Sequence, residues 1–149
     1  MKSCFMFGHA DCPDTMLPKI EEAIVKCYSK EVTAFYVGSR GRFDSLAASA
    51  VKQVKQQHPD IKLYLTIPYL TTEINENPEE YYKRFDGIQL ANIPESTPKK
   101  LMIIKCNQFM IDSSSFLVSF VEHSWGGAYR TLQYAKGKDI KIINLSKSN

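Results

Sequence analysis

Residues Val32–Gly41, VTAFYVGSRG, decide the fold. The first six of them are β-branched or aromatic apart from one alanine, a composition typical of a buried strand. The strand ends at Gly38, and apolar residues from Leu46 to Val54 then recur with helical spacing until His58-Pro59 breaks the pattern. A strand, a glycine loop and a helix in this order predict one unit of a parallel α/β sheet.

The same unit occurs before and after this stretch. Cys4–Phe7 is a short apolar run that ends at Gly8, and an amphipathic helix follows it. Ile61–Ile67 predicts a third strand, Phe116–Val121 a further one, and a helix then leads to a last strand at Ile140–Leu145. Consecutive units of this kind favour an α/β fold with a mostly parallel sheet, right-handed crossovers and helices on its faces.

Two segments interrupt the pattern. Residues 68–98 contain several prolines and an acidic patch, and we interpret them as an elaborated connection with one short helix and a short strand near Gly87–Leu90. The length of this connection indicates that it covers something or lies at an interface. Leu101–Asp112 is apolar and fits either a strand or a helix by periodicity alone. A chain of 149 residues suits one domain, 1–149.

Composition narrows the class of protein. No run approaches the roughly 18 apolar residues of a membrane span, and the N-terminus lacks the features of a signal peptide, so we expect a cytoplasmic protein with no membrane partner. The four cysteines form no CxxC pair and are interpreted as free, mostly buried thiols. The net charge of +3 is spread along the chain, which argues against a nucleic-acid partner.

Three predicted strands end in glycine just before a helix, at Gly8, at Gly38 and at Gly126-Gly127. The carboxyl ends of parallel strands meet at one edge of the sheet, where open α/β sheets bind ligands. Glycine lets the backbone approach a ligand, and the unpaired N–H groups of a helix start suit a phosphate. We therefore predict one shared anion site. The sequence has no Walker loop and no complete GxGxxG, and we predict no cofactor.

Three segments carry a resemblance to a known family: Tyr36–Asp44 (YVGSRGRFD), Asn107–Asp112 (NQFMID) and His123–Ala128 (HSWGGA). Together they resemble bacterial single-domain members of the SLOG superfamily, which includes the Lonely Guy phosphoribohydrolases and the DprA-like proteins. The resemblance covers nearly the whole chain. It implies a Rossmann-like three-layer fold, a nucleotide-related ligand at the glycine loops, a homodimer, and a helix at Leu101–Asp112.

The sequence departs from the Lonely Guy pattern at the positions that carry its chemistry. Those enzymes have an arginine on this helix and a glycine–threonine turn followed by glutamates. Position by position, the arginine is replaced by Cys106, the threonine by Ala128, and the glutamates by Arg130 and Thr131. Cleavage of an N-glycosidic bond usually needs carboxylates that stabilise the oxocarbenium ion and activate water. These four positions provide none.

The second glycine loop holds four candidate ligand contacts. Ser39 belongs to the loop itself. Arg40 and Arg42 are either a phosphate clamp, for which the guanidinium fork is well shaped, or two solvated cations. Asp44 either accepts a hydrogen bond from a ribose hydroxyl or complements the dipole of the helix that it begins.

The other candidates lie at strand ends. His9 is either a ligand donor or general acid–base group, or a structural residue of the turn. Trp125 either stacks on a base or packs its loop against the sheet. Cys4 and Cys12 together with His9 and His123 do not have the spacing of a known zinc pattern, so we predict no metal site.

On the helix, the resemblance implies that Asn107 and Met110 face the ligand crevice. Without the resemblance, Met110 would be assigned to the core and Asn107 to the surface. Cys106 has no partner base that the sequence reveals, which disfavours it as a nucleophile.

These observations favour a non-catalytic module that binds a nucleotide or a nucleotide-derived small molecule as a sensor, carrier or sequestering protein. The alternative is a nucleoside 5′-monophosphate N-glycosidase whose catalytic acid is displaced to Asp44 or to the acidic segment Glu73–Glu80. A third possibility is an interaction protein with a vestigial pocket.

Overall fold

The computed structural model describes residues 2–69 and 76–146. Six strands form the sheet: β1 (Lys2–Gly8), β2 (Val32–Val37), β3 (Lys62–Ile67), β4 (Gly87–Leu90), β5 (Phe116–Phe120) and β6 (Lys141–Asn144). Five helices are described: α1 (Leu17–Ser29), α2 (Arg42–Lys55), α3 (Pro78–Arg84), α4 (Met102–Ser113) and α5 (Gly126–Lys136). Single 3-10 turns precede α1, at Asp14–Met16, and α4, at Lys99–Leu101.

The strands lie in the order β4-β3-β2-β1-β5-β6, and every pairing between them is parallel. The chain therefore moves outward from β1 to β4 and then crosses over to β5 on the other side of β1. In the register of this sheet, Phe5 lies opposite Tyr36 on β2 and Leu117 on β5. The α/β fold with a parallel sheet, predicted from the repeated units, is confirmed.

Side chains alternate between the two faces of β1 because successive residues of a strand point to opposite sides. Cys4 and Met6 belong to a core shared with α1 and α2, whereas Phe5 and Phe7 belong to a second core shared with α4 and α5. All four residues are buried. The helices thus cover both faces of the sheet, which makes the three-layer, Rossmann-like arrangement. None of the helices in the described part of the chain is long and apolar enough to cross a membrane.

The segment Leu101–Asp112, ambiguous by periodicity, forms helix α4, as the resemblance implied. The connection 68–98 contains the short helix α3 and the short strand β4 where they were predicted. Asp86 joins this connection to the sheet, since its carboxylate accepts hydrogen bonds from the Leu63 amide at 2.8 Å and from Lys55 Nζ at 2.9 Å. Burial opposes ionisation of Asp86, yet these bonds hold its pKa below the usual range.

Gly8 ends β1 at a place where the backbone packs tightly against α2. A Cβ atom on Gly8 would lie 2.6 Å from Cγ of Phe43 and 3.0 Å from the carbonyl oxygen of Phe120. The Phe43 ring is fully buried and has no room to move away.

We therefore expect Gly8→Ala to lower the free energy of unfolding by about 1–3 kcal/mol, the usual cost of overpacking a core. The matched control is Gly127→Ala in the first turn of α5, where nothing lies within 4 Å of the added atom. Alanine favours a helix over glycine, so this variant should unfold at the same or slightly higher denaturant concentration. Equal losses in the two variants, measured by chemical denaturation, would contradict the close packing at Gly8.

Candidate functional site

A cavity of about 370 Å³ opens at the carboxyl ends of β1, β2 and β3. This volume lies within the range of roughly 300–1,000 Å³ that is common for small-molecule sites. Five regions of the chain meet in it: the end of β1, the loop after β2 with the start of α2, the end of β3 with part of the connection, α4, and the start of α5. The lining residues used below are Phe5, Gly8, Gly38, Ser39, Arg40, Asp44, Thr66, Pro68, Tyr69, Tyr81, Ile103, Ile104, Cys106, Asn107, Gly127 and Ala128.

The three glycine loops all reach this cavity, since Gly8, Gly38 and Gly127 belong to its lining. Their roles differ. The protein's own side chains occupy the space beside Gly8 and Gly38, whereas the space beside Gly127 is open. The helix after Gly8 begins only at Leu17, and none of the described residues from 9 to 17 lines the cavity. The helix starts that contribute to it are therefore those of α2 and α5.

The structure separates the two arginines of the second loop. Arg40 lines the cavity together with Ser39. Arg42 points elsewhere, and its Nε donates a hydrogen bond to Oδ1 of Asp14 at 2.6 Å. This ion pair lowers the pKa of Asp14. Among the lining residues that the structure describes, Arg40 is the one cation and Asp44 the one carboxylate.

Asp44 lies in the first turn of α2 and also belongs to the cavity lining. Its Oδ2 accepts a hydrogen bond from the backbone amide of Arg40 at 2.9 Å, which satisfies a loop donor at the start of α2. A side chain on Gly38 would collide with this carboxylate, because a Cβ there would lie 2.9 Å from the same Oδ2. Burial raises the pKa of Asp44 to about 6, although the Arg40 amide and the Arg40 charge act in the opposite direction.

Two of the predicted site residues, His9 and Trp125, form a column of rings with His123 outside the cavity lining. The His9 and His123 rings stack with centroids 3.8 Å apart, and His123 stacks on Trp125 at the same distance. His9 is buried, and its Nε2 accepts a hydrogen bond from the Glu122 amide at 3.0 Å. Burial and then the neighbouring His123 lower the pKa of His9, so the neutral ring is favoured.

The outer end of the column is exposed to solvent. Trp125 is 69% exposed and therefore does not plug its loop against the sheet. The next residue, Gly126, has φ +91°, a left-handed conformation that favours glycine. Gly126 itself is not among the described lining residues, and the cavity is reached by Gly127 and Ala128. Within residues 2–69 and 76–146, no three His, Cys, Asp or Glu side chains converge as metal ligands would.

Helix α4 turns Asn107 toward the cavity but not Met110. Nδ2 of Asn107 donates a hydrogen bond to Oγ1 of Thr131 at 3.2 Å, and that hydroxyl donates to the carbonyl oxygen of Gly127 at 3.0 Å. Asn107 thus holds the first turn of α5 in place. Met110 lies almost one turn further along, 2% exposed, in the core with Phe5. The core position of Met110 is the assignment made without the resemblance, and the position facing the crevice that the resemblance implied for it is wrong.

Sequence reasoning missed the apolar wall of the cavity. Ile103 and Ile104 on α4 face it, and the connection 68–98 contributes Pro68, Tyr69 and Tyr81. The apolar run in α4 was visible, but only the packing of α4 over β1 and β3 shows which of its residues face the cavity.

Cys106 also lies in this wall, where an arginine stands in the Lonely Guy pattern. Its Sγ is 3.6 Å from Oγ1 of Thr66, and burial raises the pKa of the thiol. A protonated, buried thiol is a weak nucleophile.

Comparisons with known proteins agree with this fold. No family model matches the chain. It is 27% identical over 140 residues to the uncharacterised SPbeta prophage-derived protein YoqJ of Bacillus subtilis (strain 168), an alignment that covers 83% of this chain and 79% of that protein.

Among solved structures, the chain resembles DNA processing protein A (DprA) of Streptococcus pneumoniae with a TM-score of 0.65 and 14% sequence identity. The match covers 95% of this chain and 49% of the DprA chain, so the chain spans about half the length of that protein. The chain is a distant homologue of YoqJ and has a Rossmann-like α/β fold similar to that of DprA.

Proposed function

We propose that the protein binds a nucleotide or a nucleotide-derived small molecule in the cavity at the carboxyl ends of β1–β3. The observation that carries this proposal is the meeting of three glycine loops and one arginine, Arg40, in a single cavity with an apolar wall.

The two parts of the lining suit the two parts of such a ligand. Tyr69, Tyr81 and the two isoleucines of α4 offer apolar and aromatic surface to a planar base. The Arg40 guanidinium and the backbone at Gly127, in the first turn of α5, offer hydrogen-bond donors and positive charge to a phosphate. A ligand with an apolar ring at one end and an anion at the other matches both surfaces.

Two residues at the positions that hold glutamates in the Lonely Guy pattern, Arg130 and Thr131, favour binding without catalysis. Thr131 is buried and occupied by its hydrogen bonds to Asn107 and Gly127, and Arg130 is exposed. Neither provides a carboxylate. We therefore propose a sensor, carrier or sequestering protein. The homodimer and the cytoplasmic location remain predictions.

Arg40→Ala tests the proposal, and Arg42→Ala is its matched control because the two arginines differ by two positions but only Arg40 lines the cavity. Loss of a charge-assisted hydrogen bond should weaken the binding of phosphorylated ligands about 10- to 100-fold in Arg40→Ala. Arg42→Ala should bind like the wild type. Thermal-shift screening with nucleoside 5′-monophosphates, cyclic nucleotides and ADP-ribose identifies ligands, and titration calorimetry gives the dissociation constants.

A screen in which no phosphorylated compound raises the melting temperature of the wild type would argue against this function. It would favour an interaction protein with a vestigial pocket. Equal weakening in the two arginine variants would show that the anion does not bind at Arg40.

One observation favours a second function, the hydrolysis of a nucleoside 5′-monophosphate at its N-glycosidic bond. Asp44 lies in the cavity, and its pKa of about 6 suits a general acid near neutral pH. Of the other candidate acids, Glu76, Glu79 and Glu80 are exposed and outside the lining. Glu73 lies outside the described residues.

If this reaction occurs, the wild type should release free base from a nucleotide panel, and Asp44→Asn should reduce the rate at least about 100-fold. Asp14→Asn removes an exposed carboxylate outside the lining and should leave the rate unchanged. Base release can be followed by liquid chromatography. Equal rates in the two variants would exclude Asp44 as the acid, and no release from any nucleotide would leave binding as the function.

A further inference from the structure

We propose that anion binding at Arg40 is coupled to the uptake of a proton by Asp44, so that the cavity holds its ligand more tightly as the pH falls. This inference rests on the proposed function, because it concerns the regulation of the same site by pH.

The geometry places Arg40 and the Asp44 carboxylate next to each other in the cavity lining. Asp44 accepts its hydrogen bond from the backbone amide of Arg40, and both residues line the cavity. Burial raises the pKa of Asp44 and of Cys106, and the Arg40 charge opposes the rise at both groups, which lie on two sides of the cavity. An anion that pairs with this guanidinium therefore comes near the Asp44 carboxylate, and two like charges in a partly desolvated site repel each other.

The other groups around Asp44 do not remove this repulsion. From the connection and α3 the cavity is lined by Tyr69 and Tyr81, and from α4 by Cys106, whose thiol has a pKa raised by burial. No second cation is present among the described lining residues. Protonation of Asp44 is thus the way in which this site can relieve the repulsion.

The direction of the pH dependence follows from the pKa of Asp44. In the free protein this pKa is about 6, and a bound anion raises it further. The complex therefore binds more protons than the free protein at and above this pH, and affinity falls as the pH rises through this window. Well below the free pKa, Asp44 is protonated in both states and its contribution no longer changes with pH.

The first experiment measures proton uptake directly. Inorganic sulfate is the probe because its charge is constant near neutral pH, so any proton taken up goes to the protein. Sulfate added at about pH 6.5 to a weakly buffered solution with an indicator dye should cause proton uptake by the wild type and by Asp14→Asn, but not by Asp44→Asn. If the wild type binds sulfate without taking up a proton, the inference is overturned. This outcome can be seen with the wild type alone.

The second experiment uses adenosine 5′-monophosphate. Its own phosphate titration is common to all variants, so the difference between their pH profiles isolates Asp44. Between about pH 6 and 8 the wild-type affinity should fall up to about tenfold per pH unit more than that of Asp44→Asn. Parallel profiles would overturn the inference. Absence of binding by both probes at every pH would instead overturn the proposed function.

A measurement of stability against pH, made without ligand, checks the raised pKa of Asp44 on which the inference depends. The pKa of Asp44 is raised from 3.8 to about 6 in the folded protein, so the native state binds more protons than the unfolded chain between these values. Wild-type stability should therefore decrease, relative to Asp44→Asn, as the pH rises through this interval. The asparagine can still accept the hydrogen bond from the Arg40 amide. The same pH profile of stability in both proteins would contradict the inference.

Discussion

The confinement of β1 is the constraint on which the rest of the structure depends. It pairs with β2 and β5 on its two edges, and helices cover both of its faces. The enclosed part of this strand, Cys4–Phe7, accordingly carries only apolar residues, and the strand ends at Gly8. The Phe43 ring, packed against Gly8, then ties the second glycine loop to this end of the strand. The position of the cavity follows, because β1 contributes its floor and the loop beside it contributes its charged groups.

The described lining of the cavity holds one guanidinium, on Arg40, and one carboxylate, on Asp44. The Asp44 carboxylate is buried, so a nearby charge has a larger effect on it than it would have in water. The Lonely Guy pattern has an arginine on the helix, but here that position is occupied by Cys106, whose thiol contacts Thr66 in the wall. The positive charge comes instead from Arg40 on the loop after β2, next to Asp44. This arrangement places the arginine beside an acid of raised pKa.

The fold itself says little about activity, because unrelated functions occur on Rossmann-like sheets. The likeness to DprA extends over about half of that chain at 14% identity, and it therefore concerns architecture alone. The function that we propose depends instead on the side chains around one cavity. Nor are the glycines by themselves evidence of a ligand, since Phe43 and Asp44 of the same chain fill the space beside two of them.

The sequence alone determined the type of nearly every element, the parallel α/β sheet and the edge at which the three glycine loops meet, because strand and helix periodicities depend on residues that are neighbours in the chain. Only the tertiary structure decided which side chains line the cavity. Arg42 points away from the cavity because it forms a hydrogen bond with Asp14, a residue 28 positions earlier. Met110 is buried in the same core as Phe5 of the central strand. Tyr81 reaches the cavity from a helix in the connection. Each of these outcomes depends on contacts between residues distant in sequence, and no local pattern records them.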